Sequence, residues 1–266
     1  MCYNSLESEA VLMILAIDIG NTNITFGGFS GEKLEFVARI ATDASKTSDE
    51  YASKIFNTLS LYNIGRSTFK GAIISSVVPP LNKAVKAAVK FIYGIDALTV
   101  GPGIKTGINI HCDNPASVGT DLICACVAAH YLYGSPSLII DMGTATKIMV
   151  MDDKGAFNGV SIIPGVLMGL KALSEGTAQL PQVSLEVPKS VIGKNTADCM
   201  RSGVLFGNAA LIDGMIDRIN AEVGKELPVY ATGGLASTVV CHCRHEITVD
   251  ESMVLKGLHI IYCKNN

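Results

Sequence analysis

The sequence predicts an α/β protein built from two similar halves, each a mixed sheet of strands with helices around it. Three observations carry that expectation. Short apolar, β-rich runs alternate with stretches of helical periodicity along the chain. Asp18-Ile-Gly-Asn-Thr-Asn23 is matched by Asp141-Met-Gly-Thr-Ala-Thr146, each placed after one apolar strand and before another. Each motif is followed, about a strand's length later, by a charged glycine turn, Gly31-Glu-Lys33 and Asp152-Asp-Lys-Gly155. Two short turns can agree by chance, but agreement of strand, turn and following hairpin favours a duplicated unit.

In chain order, residues 11–17 form an apolar strand that runs into the turn cluster Gly20-Asn21-Thr22, and residues 24–29 resume a strand pattern, a hairpin signal. A strand over 34–40 follows, then an amphipathic helix over 48–62 and a strand over 71–76. Pro79-Pro80 opens a helix through Tyr93, since proline suits the first helical positions, and 97–100 is a short strand. After a loop over 101–115, helix 117–133 and strand 138–140 lead to Asp141. The second half adds a strand ending at Ile163, helices over 165–175 and 196–223, a strand over 229–231 ending in Thr232-Gly-Gly234, and a helix over 251–263. The expected division is one lobe over 13–116 and a second over 117–266, with 1–12 a disordered extension and Met13 a candidate alternative start.

Of 266 residues, 48% are hydrophobic and 17% charged, with a formal net charge of −3. An average globular domain is about 25% charged, so the chain is core-rich. It carries no run of basic residues, which leaves nucleic acid and anionic membrane surfaces without an electrostatic footprint. No uncharged apolar stretch reaches the length of about 18 residues that a membrane span needs. Eight cysteines lack C-x-x-C spacing and read as reduced thiols, so a cytoplasmic protein is expected.

A strand ending in Asp followed by a Gly-centred turn with Asn and Thr can close backbone N–H groups and hydroxyls around a phosphate while the carboxylate holds Mg²⁺. Two such loops can clasp one nucleotide, and Thr232-Gly233-Gly234 permits close approach of an adenine or ribose. Neither a GxxxxGK[ST] loop nor a GxGxxG fingerprint is present.

The chain resembles the type III pantothenate kinases, of the sugar-kinase, Hsp70 and actin superfamily. The resemblance spans Leu15 to Gly257 and rests on DIGNTNITFGGF (18–29), ISSVVPPLN (74–82), GPGIKTGI (101–108), DNPASVGTD (113–121), DMGTATK (141–147), IPGVLMGLKALSEGTAQLP (163–181), GKNT (193–196), SGVLFG and IDGMIDR (202–218), and TGG (232–234). It implies two ribonuclease H-like lobes, a homodimer, and phosphorylation of pantothenate by ATP as the first step toward coenzyme A. It places Asp18, Ile19, Gly20, Asn21, Thr22, Asn23, Ile24 and Thr25 around the ATP phosphates, with Asp18 the Mg²⁺-side carboxylate, and adds Thr144, Gly233 and Gly234 as nucleotide contacts. Asp121 corresponds to the general base, a role a carboxylate within reach of the acceptor hydroxyl can fill. Asp141 matches a site for a monovalent cation, K⁺ or NH₄⁺. Cys112, Gly119, Thr120, Asp121, Leu122 and Thr196 fall at pantothenate-binding positions, and the loop 101–107 at the pocket wall.

At two of these positions the chain departs from the family, which has Tyr where Cys112 stands and Arg where Leu122 stands. Losing an Arg from a carboxylate removes a charge-assisted hydrogen bond, about 1.5–3 kcal/mol. Lys105 and Lys171 are the candidate replacements. The alternative readings are therefore a kinase of the same fold with another acceptor, and a nucleotide-binding regulatory protein. Judged from sequence alone, Asp18 and Asp141 would be strand-end turn residues and Asp121 a first-turn helix acid; duplication and resemblance move the first two to function, and the resemblance alone moves Asp121. Cys241-His-Cys-Arg-His245 lacks a second ligand pair at zinc spacing and reads as structural.

Overall fold

The computed structural model describes residues 12–266. The extension expected at the N-terminus lies outside the described residues as far as residue 11. Ten strands and seven helices follow in the order β1 (Met13–Ile19), β2 (Asn23–Ser30), β3 (Lys33–Ala41), α1 (Ser48–Ser60), β4 (Phe69–Ser76), α2 (Pro79–Tyr93), β5 (Leu98–Thr99), α3 (Thr120–Tyr133), β6 (Ser137–Met142), β7 (Ala145–Met151), β8 (Phe157–Pro164), α4 (Val166–Glu175), α5 (Thr196–Val223), β9 (Val229–Thr232), α6 (Ala236–Val240), β10 (Thr248–Val249) and α7 (Met253–Lys264). A single 3-10 turn, Pro115–Ser117, precedes α3, so that helix begins three residues later than its periodicity predicts.

The strands form two five-stranded sheets with one topology. The first has the order β3-β2-β1-β4-β5 and the second β8-β7-β6-β9-β10, the same arrangement with each strand replaced by its counterpart. In each, the first three strands are an antiparallel meander, and a parallel strand then pairs with the central one. That correspondence is the duplication expected from the paired Asp-x-Gly motifs.

Local chemistry sets the helix ends. Thr47 and Glu50 form a reciprocal capping box that starts α1. Pro79 and Pro80 occupy the first turn of α2, and Gly94 ends it at φ 71°. Asn195 accepts from the Asp198 N–H to start α5, which ends at Gly224 with φ 79°. Helix α3 is apolar on all sides, and every residue from Asp121 to Ala129 is buried. It is a core helix, in which the Cys126 thiol is pushed up in pKa by burial.

Packing divides the chain differently from the chain-order boundary expected at 116/117. One unit runs through Gly107 and takes in Gly119–Cys124 and Leu255–Asn266; the other comprises Ile108–Val118 and Ala125–Val254. The last helix joins the first sheet for steric reasons. Leu255 lies against Gly27, Tyr262 against Gly71, and the His259 ring stacks on Phe29 at 4.4 Å. A Cβ at Gly71 would sit 1.9 Å from the Tyr262 hydroxyl, and one at Gly257 would sit 1.8 Å from the Cys124 carbonyl oxygen. The first core is filled by β1, β2, β4, α1 and α2 side chains, including Tyr51, Phe26, Leu15 and Ile55; the second by Leu138, Ile140, Ile148, Leu205, Ile212 and their neighbours. Among the described residues no helix is long and apolar enough to cross a membrane.

Candidate functional site

In the first unit the β1–β2 hairpin ends the apolar strand at Asp18, which is half-buried and stands opposite Thr25 on β2 and Ser75 on β4. Its turn is closed by the Gly20 N–H donating to the Asn23 carbonyl at 3.0 Å. Thr42, just past β3, fastens the loop from outside: its hydroxyl donates to the Gly20 carbonyl at 2.7 Å and its N–H to the Thr22 carbonyl at 3.0 Å. The exposed side chains of Asn21, Thr22 and Asn23 are thereby held at the sheet end. Ile19 and Ile24 belong to the core with no exposure, so within the expected phosphate segment they can contact a ligand only through the main chain.

The start of α3 is tied to the same sheet end. The Thr120 hydroxyl lies 2.9 Å from the buried Ser75 hydroxyl, accepts from the Ser76 N–H at 3.0 Å and reaches the Ser76 carbonyl at 3.1 Å. Ser75 is the Cα partner of Asp18, so this bridge brings Asp121 to the strand end that carries Asp18. Asp121 is 9% exposed, and its Oδ1 accepts from the Leu122 N–H at 2.9 Å. A Cβ on Gly119 would lie 2.5 Å from that oxygen, so the bare glycine leaves room for the carboxylate in this position. Leu122, expected at the acceptor pocket, is 6% exposed and has a buried apolar side chain.

The second unit repeats the arrangement around Asp141, whose strand partners are Lys147 on β7 and Thr232 on β9. The Lys147 ammonium donates to Asp141 Oδ2 at 2.8 Å, with the two side chains 19% and 12% exposed. Gly233 follows β9 at φ 96°, and a Cβ there would fall 2.6 Å from the Met142 main chain, so the Thr232-Gly-Gly loop and the Asp141 turn are packed backbone to backbone. Gly234 faces open space. Gly165, ahead of α4, abuts the carbonyl of exposed Thr144, 2.1 Å from where a Cβ would stand. Thr196 is exposed in the first turn of α5, and Cys112 is half-buried beyond a main-chain bridge in which the His111 N–H donates to the Phe157 carbonyl.

The structure therefore gathers Asp18 to Thr25, Gly119, Thr120, Asp121 and Leu122 in one unit, and Cys112, Asp141, Thr144, Thr196, Gly233 and Gly234 in the other. Lys171 pairs with Glu175 on α4 at 3.5 Å, and exposed Lys105 shares main-chain hydrogen bonds with the Asn265 side chain. The segment 241–245 is tied to α5: the N–H groups of Arg244 and His245 donate to buried Asp213, and His245 meets Asp217 at 2.8 Å. Among the described residues no group of three or more His, Cys, Asp or Glu side chains converges as a metal site would require. Sequence reasoning named neither Thr42 nor Lys147 in a role, and met Ser75 only inside a motif block.

The model of type III pantothenate kinase matches residues 14–218. The chain belongs to the type III pantothenate kinase family. It is 41% identical to the type III pantothenate kinase of an Exiguobacterium species over 95% of this chain and 99% of that one. Among solved structures it is similar in fold to the activator of 2-hydroxyisocaproyl-CoA dehydratase from Clostridium difficile with bound ADPNP, at TM-score 0.52 and 12% identity over 96% and 95% of the two chains. A polyphosphate/ATP-glucomannokinase from Arthrobacter gives TM-score 0.52 at 14% identity over 96% and 100%.

The family implies a divalent metal beside the nucleotide. The donor set at the β1 end, the Asp18 carboxylate beside hydroxyl, amide and carbonyl oxygens, is the hard-oxygen chemistry Mg²⁺ takes. A monovalent cation on Asp141 fits less well, because that carboxylate already carries an ammonium at contact distance.

Proposed function

We propose that this protein transfers the γ-phosphoryl group of ATP to the primary hydroxyl of pantothenate, giving 4'-phosphopantothenate at the entry to coenzyme A synthesis. Family membership carries the reading, and what supports Asp121 as the base is its position beside bare Gly119 on a helix start bolted to the Asp18 strand end. A buried carboxylate there can accept the hydroxyl proton as the acceptor oxygen attacks phosphorus and the bond to the β–γ bridging oxygen breaks, with ADP leaving. By the family resemblance, the turn over Asn21, Thr22 and Asn23 is assigned to phosphate oxygens, Thr144, Gly233 and Gly234 to the nucleotide, and Gly119, Thr120 and Thr196 to the acceptor. Asp18 would hold Mg²⁺, which when bound neutralises phosphate charge. The enzyme is read as a cytoplasmic homodimer.

Buried Leu122 and the thiol of Cys112 favour keeping one second reading, a kinase of this fold with another acceptor, because neither side chain can pair a carboxylate as Arg does. The test is ADP release by the purified protein with ATP and Mg²⁺, with and without pantothenate. Pantothenate-dependent release that falls about 10²-fold or more in Asp121→Asn, with ATP binding kept, is expected. Release unaffected by pantothenate refutes the acceptor, and full turnover in Asp121→Asn refutes the base.

A further inference from the structure

The two half-sites are built alike, and they differ at one informative place. The carboxylate at the end of each central strand faces a cross-strand neighbour in its hairpin: Thr25 opposite Asp18, and Lys147 opposite Asp141. In the first half that neighbour is uncharged. In the second it is an ammonium 2.8 Å from the carboxylate, and both side chains are largely withdrawn from water.

Strand register makes this contact durable. Asp141 and Lys147 stand directly opposite each other in the β6–β7 ladder, so their side chains leave the sheet on the same face. The strands themselves are anchored, β6 by parallel pairing with β9 and β7 by pairing with β8. A lysine has three donors and a compact point charge, close to what a bound monovalent cation would present to a carboxylate. Two such charges on one partly buried carboxylate would repel each other.

We propose that Lys147 is a tethered cation: its ammonium takes the position on Asp141 that a monovalent ion would fill, so this enzyme works without K⁺ or NH₄⁺. The inference rests on the kinase reading for its kinetic consequence but not for its binding consequence. The proposal assigns Lys147 a positioning role, holding Asp141 and the adjoining Met142–Thr144 turn where the Gly233 loop packs.

The experiment compares thermal melting, binding of a non-hydrolysable ATP analogue, and turnover in KCl and in tetramethylammonium chloride at equal ionic strength. For the unmodified protein the expected result is the same melting temperature and the same analogue affinity in both salts. Lys147→Thr, which copies the first half's Thr25, is expected to bind the analogue about tenfold more weakly in tetramethylammonium and to regain affinity and melting temperature specifically with K⁺. Lys147→Arg, which keeps the charge, should remain indifferent to K⁺. K⁺-specific stabilisation or tightening in the unmodified protein overturns the proposal, as does a Lys147→Thr protein that is folded and equally indifferent to both salts. If Lys147→Thr does not fold, the unmodified protein and Lys147→Arg still decide the matter. Absence of pantothenate-dependent turnover in every salt would sink the kinase reading alone, since melting and analogue binding report on Lys147 without it.

Discussion

Removing the Thr120 hydroxyl should uncouple α3 from the first sheet. In Thr120→Val the side chain keeps its shape but loses its contacts to the Ser75 hydroxyl at 2.9 Å, the Ser76 N–H at 3.0 Å and the Ser76 carbonyl at 3.1 Å. Stranding the Ser76 donor costs about 1–3 kcal/mol, and the lost partner of wholly buried Ser75 adds about 0.5–1.5 kcal/mol. The sum, about 1.5–4.5 kcal/mol, corresponds to a fall in Tm of about 3–18 °C at about 2–4 °C per kcal/mol. Because Asp121 is the next residue, a displacement near 1 Å should also lower kcat about 10²-fold. Differential scanning calorimetry and the ADP-release assay read the two effects, and Thr120→Ser should restore both. A Thr120→Val protein that melts within about 1 °C of the original and turns over normally would refute the bridge as the element that positions the base.

Gly119→Ala tests the base from the other side: its Cβ would fall 2.5 Å from Asp121 Oδ1, so kcat should drop while analogue binding holds, and unchanged kcat would show the carboxylate has room to spare. Gly233→Ala should both destabilise the fold and weaken nucleotide binding, because φ 96° and the Met142 main chain exclude a side chain, whereas Gly234→Ala, which meets nothing within 4 Å, should fold normally; equal melting temperatures for the two variants would contradict this. His259 has its pKa lowered by burial against Phe29, with Glu32 opposing weakly. A lowered histidine pKa means the unfolded chain binds the proton more readily, so this contribution is intact above about pH 6.5 and lost as pH falls below it. Melting curves between pH 8 and 5 should show the loss, and His259→Gln should flatten it; an unchanged slope in that variant would assign the effect elsewhere.

Much of the fold was legible because its signals are local. The bounds of α5, the Pro79 start of α2 and the paired Asp-x-Gly turns follow from caps, proline and strand-end chemistry acting within a few residues. The short α6 and β10 could be given no bounds from the sequence, since five or two residues carry too little periodicity. Helix α7 could be seen, but its attachment to the first sheet could not, because it depends on the empty spaces at Gly27 and Gly71, more than 180 residues earlier. The same limit applies to the site. Asp18, Asp121 and Asp141 are legible in their motifs, while Ser75 and Lys147 act through strand register and Thr42 through hydrogen bonds to a turn about 20 residues earlier, which a linear reading does not display.

The membership of α7 in the first unit has a consequence for the order of synthesis. The sheet that contains β1 precedes the second unit in the chain, yet the cover of its face at Gly27, Phe29 and Gly71 is completed by residues from Leu255 onward. On a ribosome that face stays open to water and to other chains until α7 has emerged, after every residue of the second unit has been made. A sheet that leads the second unit in sequence is therefore sealed after it.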